Sequence, residues 1–150
     1  MLSWLAKKVI ARNMAKASEG ELGPTLRMDA EDVRFAFPGD SSWGGVYRGK
    51  AELEPWLRRF AEVGIQIYPD EVVLKGFPWR QTICVRGRDH LDSPEGERVY
   101  ENRYVIWGRL SWGLLREYEV YEDTQKSKAL DAYLASTGEE LAQQAVGEGA

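Results

Sequence analysis

Three runs in the second half of the chain, Arg80 to Leu91, Arg98 to Arg109 and Leu114 to Asp123, alternate apolar with polar residues. That period of two marks strands with one buried face. The turns between them are Asp92-Ser93-Pro94-Glu95-Gly96 and Ser111-Trp112-Gly113. Linkers this short force antiparallel neighbours, because a parallel crossover needs about a dozen residues or more. Ile65, Ile67 and Val72 to Leu74 add a fourth strand, interrupted by Pro69. A meander with one apolar face must be covered, and the rest of the chain supplies the cover. A helix is predicted over 3–18, with Leu2, Leu5 and Val9 on its apolar face and Gly20, Gly23 and Pro24 behind its end. Asp32 to Phe37 reads as a strand closed by Pro38-Gly39, and 40–49 as a flexible loop. Leu53, Trp56, Leu57 and Phe60 recur at helical spacing over 50–61, with Pro55 in the first turn and Gly64 as the stop. Ala129, Leu130, Tyr133, Leu134 and Leu141 predict a C-terminal helix, followed by a frayed tail over 142–150. Helices gathered on one side of a curved antiparallel sheet make an α+β fold.

Composition narrows the chemistry. A chain of 150 residues suits a single domain, here with a core over about 31–134. Cys84 is the only cysteine and His90 the only histidine, which excludes an internal disulfide and argues against a thiolate–imidazole zinc site. The net charge of −4 argues against nucleic acid as a partner. Lys7, Lys8 and Arg12 break the first apolar stretch, so neither a signal peptide nor a membrane span is expected, and the protein reads as cytoplasmic. Chemistry must then rest on carboxylates, hydroxyls and amides, without a cofactor.

Register arithmetic shows which of these groups share a face. With Ser111-Trp112 as a two-residue loop, Tyr104 faces Glu119, Asn102 faces Tyr121 and Tyr100 faces Asp123. With Leu91 opposite Arg98, Asp89 meets Tyr100 and Val85 meets Tyr104. One face then carries Ile83, Val85, Gly87, Asp89, Tyr100, Asn102, Tyr104, Ile106, Glu117, Glu119, Tyr121 and Asp123. The other carries Arg80, Arg86, Arg88, Glu101, Arg103, Arg116 and Glu122, and so many charges belong in water. The first face is therefore expected inside, apolar at one end and acidic at the other, as in a cavity with a polar floor. A slip of one residue at either turn would exchange the faces. Val105, Trp107, Leu114, Tyr118 and Val120 on the outer face suggest a sheet-mediated homodimer.

These residues carry a resemblance. Phe35-Ala36-Phe37-Pro38-Gly39 with Trp43-Gly44-Gly45, Tyr100-Glu101-Asn102-Arg103-Tyr104, Trp112-Gly113-Leu114-Leu115 and Tyr121-Glu122-Asp123-Thr124 resemble the pattern of the nuclear transport factor 2-like superfamily, in its SnoaL-like and ketosteroid-isomerase-like branch. The resemblance covers roughly Glu31 to Leu134. It implies a cone-shaped curved sheet wrapped around helices, also called cystatin-like, with a deep pocket. Members include isomerases, polyketide cyclases, epoxide hydrolases, dehydratases and non-catalytic binding modules, so the fold leaves activity open. The arginine two residues from an aspartate that epoxide-hydrolase-like members use is missing, since Asp89 has Gly87 and Leu91 at that spacing.

Asp89, Glu119 and Asp123 are the candidate proton handlers, with Tyr100 and Tyr104 as hydrogen-bond donors to a developing oxyanion. Asp123 can equally cap the last helix, and Glu119 can be a structural acid satisfied by Tyr104 and Asn102. Trp43, Tyr47, Trp56, Phe60, Asn102 and Tyr121 are the candidate ligand contacts, Trp43 and Tyr47 at the pocket mouth. Two functions follow: acid/base catalysis on a hydrophobic, carbonyl-bearing small molecule, or a binding or dimerisation module whose acids are all paired internally.

Overall fold

The computed structural model describes residues 2–148, with side chains from Trp4 to Gly138. In chain order the elements are α1 (Leu2–Ser18), α2 (Gly23–Met28), β1 (Asp29–Phe37), β2 (Gly45–Arg48), α3 (Lys50–Val63), β3 (Gln66–Phe77), β4 (Arg80–Asp92), β5 (Arg98–Ser111), β6 (Leu114–Glu122) and α4 (Thr124–Glu148). The strands form one curved, unclosed sheet in the order β2-β1-β6-β5-β4-β3. The α+β class is as expected, but the sheet is mixed. β1 lies parallel to β6, which the long excursion through α3 and the meander allows. The expected loop over 40–49 contains β2, which pairs Phe37 with Gly45 through Arg34 with Arg48 and so satisfies the outer edge of β1.

β3, β4 and β5 pair antiparallel throughout. Between β4 and β5 the register differs from the expected one by two residues, with Asp89 opposite Asn102 and Gly87 opposite Tyr104. An even shift keeps every side chain on its face, so the interior expected for these two strands holds. Between β5 and β6 the outcome is opposite. The hairpin turn is Trp112-Gly113, both at positive φ (51° and 79°), the geometry of a two-residue hairpin whose twist matches the strands. A bulge then follows, because Leu110 faces Leu115 but Arg109 faces Glu117, leaving Arg116 extra. Moving the turn by one position preserves parity and the bulge reverses it. Tyr118, Val120 and Glu122 therefore face inward, whereas Glu117, Glu119 and Tyr121 face outward, correcting the expectation for β6.

The core builds on β1. Phe35 is wholly buried, its ring 4.7 Å from Trp56 of α3 and 4.8 Å from Tyr118 of β6. Val33, Leu53, Val72, Ile83, Val85, Leu110 and Val120 complete this cluster. α3 ends as expected at Gly64, whose left-handed φ of 87° lets its N–H reach the Ala61 carbonyl. Pro55 sits in the second turn of α3 rather than the first, on its exposed side. α1 docks through Ile10, Asn13, Met14 and Ala17, one helical stripe over its C-terminal half. The expected stripe is displaced: Leu5 and Val9 are exposed, as is Trp4, which Lys8 covers at 4.0 Å. The tail expected over 142–150 falls in the end of α4, where side chains lie outside the described residues, and beyond it.

Candidate functional site

The concave face of the sheet and helices α1 to α3 enclose a cavity of about 170 Å³, walled mainly by Phe35, Trp56, Phe60, Ile83, Val85 and Ile106. Three carboxyls interrupt this apolar wall: Asp29, Asp89 and Glu122. None belongs to a described ion pair, and burial is the leading cause of the raised pKa of each.

Asp89 and Glu122 form the acid floor. Asp89 lies on the inner face of β4, with 5% of its surface exposed. The Tyr100 hydroxyl donates to its Oδ2 at 3.4 Å, while Oδ1 is buried without a partner. Asn102 fixes Tyr100 in that role, because its Nδ2 donates to the Tyr100 hydroxyl at 3.2 Å and to the Asp123 carbonyl at 3.0 Å. Burial lifts the Asp89 carboxyl to about 6 against the opposing Tyr100 hydrogen bond. Glu122 ends β6 and accepts a hydrogen bond from the Ser127 hydroxyl in the first turn of α4. Burial, with the charges of Asp89 and Asp123 added, lifts it to about 7 against the Ser127 bond. Both carboxyls thus titrate close to neutral pH, Asp89 below Glu122, so the pair can hold an ionised Asp89 beside a protonated Glu122.

Tyr104 completes the floor. Its hydroxyl is buried and unpartnered, and burial together with the Asp89 charge holds it protonated far above neutral pH. Gly87 makes room for it, since a Cβ there would run into the Tyr104 hydroxyl and the Tyr68 carbonyl. A side cavity joins Asp89, Tyr100, Glu122 and Ser127 to Trp43, Phe60 and Leu130.

The remaining candidates scatter. Glu119 is on the outer face, where Arg34 donates to it at 3.0 Å and the Tyr121 hydroxyl at 2.5 Å. Those two bonds hold its carboxyl below the usual range, and Tyr121 itself is exposed. Asp123 caps α4, its Oδ1 accepting the Gln125 N–H at 3.0 Å. Trp43 is buried rather than at a mouth, with the Arg59 guanidinium 3.9 Å above its ring. Its carbonyl accepts from Trp56 Nε1 at 3.0 Å and from the Tyr47 hydroxyl at 3.1 Å, which ties Tyr47 to the same loop. Trp56 and Phe60 line the cavity, stacked at 5.7 Å.

Register counting missed two of the three cavity acids. Glu122 was assigned outward because a bulge leaves no mark in a period-two pattern. Asp29 precedes the alternating stretch of β1 and carries no periodic signal at all. Among the described residues no three His, Cys, Asp or Glu side chains are grouped to hold a metal ion. No described helix is long and apolar enough to cross a membrane.

No protein-family model matches the sequence, and no curated protein matches it. Solved structures do resemble it. An NTF2-like protein of unknown function from Burkholderia pseudomallei superposes with a TM-score of 0.69 at 20% identity, over 84% of this chain and 96% of its own. A protein of unknown function with a cystatin-like fold from Xanthomonas campestris gives 0.63 at 18% identity, over 84% and 97%. SalBIII, an epoxide hydrolase/cyclase-like enzyme in pyran ring formation in the polyether salinomycin, gives 0.64 at 17% identity, over 82% and 94%. The chain thus has the NTF2-like, cystatin-like fold that its motifs resemble.

Proposed function

We propose that this NTF2-like fold binds a hydrophobic, carbonyl-bearing small molecule and performs cofactor-free acid/base chemistry on it, as an isomerase, cyclase or hydrolase. The observation that carries the reading is the acid floor: Asp89 with an unpartnered oxygen, Glu122 beside it and the unpartnered Tyr104 hydroxyl, at one end of an apolar cavity. A binding module with every acid paired internally would leave no such atoms. SalBIII shows that a similar fold hosts an epoxide hydrolase/cyclase-like enzyme, which is compatible with this chemistry.

For a ketone the steps follow from the protonation states. The Asp89 carboxylate takes a proton from the carbon next to the carbonyl, and the electron pair moves to oxygen. The protonated Tyr104 hydroxyl donates to that oxygen as charge develops. Neutral Glu122 delivers its proton to the γ-carbon of a β,γ-unsaturated ketone as the carbonyl re-forms, and the proton held on Asp89 passes to Glu122 beside it, so the double bond moves without oxidant or reductant and both carboxyls are restored. The cavity wall excludes water meanwhile, which strengthens each polar contact.

Of the five residues behind the homodimer expectation, Tyr118 and Val120 face inward, so a homodimer through the outer sheet face rests on Val105, Trp107 and Leu114 with exposed Val73 and Tyr121. One free thiol, Cys84, is in keeping with a cytoplasmic protein. The test is a screen of β,γ-unsaturated ring ketones and epoxides by product analysis, repeated with Asp89→Asn and Glu122→Gln. Turnover lost in both variants is the expected result. Ligand retention without turnover by the wild type identifies a binding module instead.

A further inference from the structure

Asp29 lies outside the acid floor, and the chemistry above does not use it. β1 sets five residue steps, Asp29 to Arg34, against two of β6, Leu115 to Glu117, so a bulge of three residues separates Asp29 from the regular strand. It places the Asp29 carboxyl in the cavity wall, between β1 and the helices. Only 2% of the residue is exposed, and Oδ2 is buried with no hydrogen-bond partner.

Two of the polar groups in the same wall are committed elsewhere, and the Tyr118 hydroxyl, which feels the Asp29 charge, makes no described hydrogen bond to it. Asn13 Nδ2 donates to the Met28 sulfur at 2.8 Å and to the Pro24 carbonyl at 3.4 Å. The Thr25 hydroxyl donates to the Asn13 carbonyl at 3.4 Å. Lys50, the nearby cation, pairs with Glu31 at 3.0 Å. A buried carboxyl oxygen left without a donor is costly, so it invites one from a ligand. Along β6, Asp29 is level with Leu115 and Glu122 is seven residues further on, so the two acids stand at opposite ends of the strand and face one cavity.

We infer that Asp29 is a second polar anchor, which accepts a hydrogen bond from a hydroxyl at the far end of an elongated ligand whose carbonyl lies at Asp89, Glu122 and Tyr104. The substrate class is then an apolar hydroxy-ketone with its two polar groups at opposite ends. This rests on the proposed function for the position of the carbonyl, and adds the second end.

Straight-chain 2-alkanones of 8 to 14 carbons and their ω-hydroxy counterparts separate the two ideas, with binding read by isothermal titration calorimetry. At one preferred length the terminal hydroxyl is expected to tighten binding by the wild type about tenfold. Asp29→Ala removes that gain, so that within this variant the ω-hydroxy ligand binds no more tightly than its parent alkanone at any length, a selective loss that a merely structural role would not produce. The isosteric Asp29→Asn guards against misfolding and reduces the gain to below threefold. Alkanone binding that weakens in Tyr104→Phe, with no gain from the hydroxyl at any length, overturns the anchor and leaves the acid floor standing. A gain that persists in Asp29→Ala overturns it as well. Failure of both series to bind overturns the carbonyl reading and the anchor with it.

Discussion

Glu119 and Glu122 lie three residues apart on β6, yet the two faces of the sheet give them opposite chemistry. Outside, carboxylates meet guanidinium groups: Glu119 with Arg34 at 3.0 Å, Glu71 with Arg86 at 3.0 Å, Asp70 with Arg88 at 2.9 Å, Glu117 with Arg109 at 3.1 Å. Such acids are spent on solvated pairs. Inside, Asp89 and Glu122 meet hydroxyls and an apolar wall, and their pKa values rise. Residue type does not distinguish a structural acid from a reactive one here. The face does, and one extra residue at Arg116 selects the face.

The sharpest way to break this contrast is kinetic. On any substrate turned over, Asp89→Asn or Glu122→Gln should lower kcat/KM by roughly 10²- to 10⁴-fold, while Glu119→Gln changes it less than twofold. Comparable losses at Glu119 and Glu122 would erase the distinction.

Stability gives the next largest effect. Burial raises the folded Asp89 carboxyl to about 6, from the 3.8 of an ordinary solvated aspartate. The native state therefore holds more protons than the unfolded chain between those values, and stability falls as pH rises through them. Relative to Asp89→Asn, the wild type should lose about 2 kcal/mol between pH 4 and pH 7 and almost nothing further above. Denaturant unfolding of both proteins across that range measures it. A difference independent of pH would mean that Asp89 is solvated.

Gly87→Ala acts on the inner face and on β3 together, since its Cβ would displace the Tyr104 hydroxyl and press on the Tyr68 backbone carbonyl. Overpacking of this kind costs about 1–3 kcal/mol. The residual activity should be no higher than that of Tyr104→Phe, and full activity in both would show that the hydroxyl is idle. The smallest effect belongs outside. A double-mutant cycle of Arg34→Ala with Glu119→Gln should give a coupling below about 1 kcal/mol, fading in high salt. A large, salt-resistant coupling would make the outer face more than a solvated surface.

What was legible in the sequence follows the same division. Alternation over Arg80 to Arg109 placed Ile83, Val85, Asp89, Tyr100 and Tyr104 correctly, because an error of two residues is harmless when side chains alternate. Helix α3 was readable from Leu53, Trp56 and Phe60 and stopped at Gly64, since spacing and a left-handed glycine are local signals. β2 was hidden because its pairing with β1 is tertiary and its Gly-rich sequence favours a loop. The apolar stripe of α1 was misplaced by half a helix because Leu5 and Val9 are as apolar as Ile10, and only docking separates them. Asp29 and Glu122 escaped because a bulge cuts each off from the pattern read, Asp29 preceding one and Glu122 following one, and a bulge is a property of paired strands.

The cavity also has a mechanical consequence. A void of about 170 Å³ inside a folded chain is volume that unfolding recovers, so hydrostatic pressure favours the unfolded state. A molecule that fills the space removes that compressible volume. Resistance to pressure would then report occupancy for a ligand that has no colour, no fluorescence and no reaction.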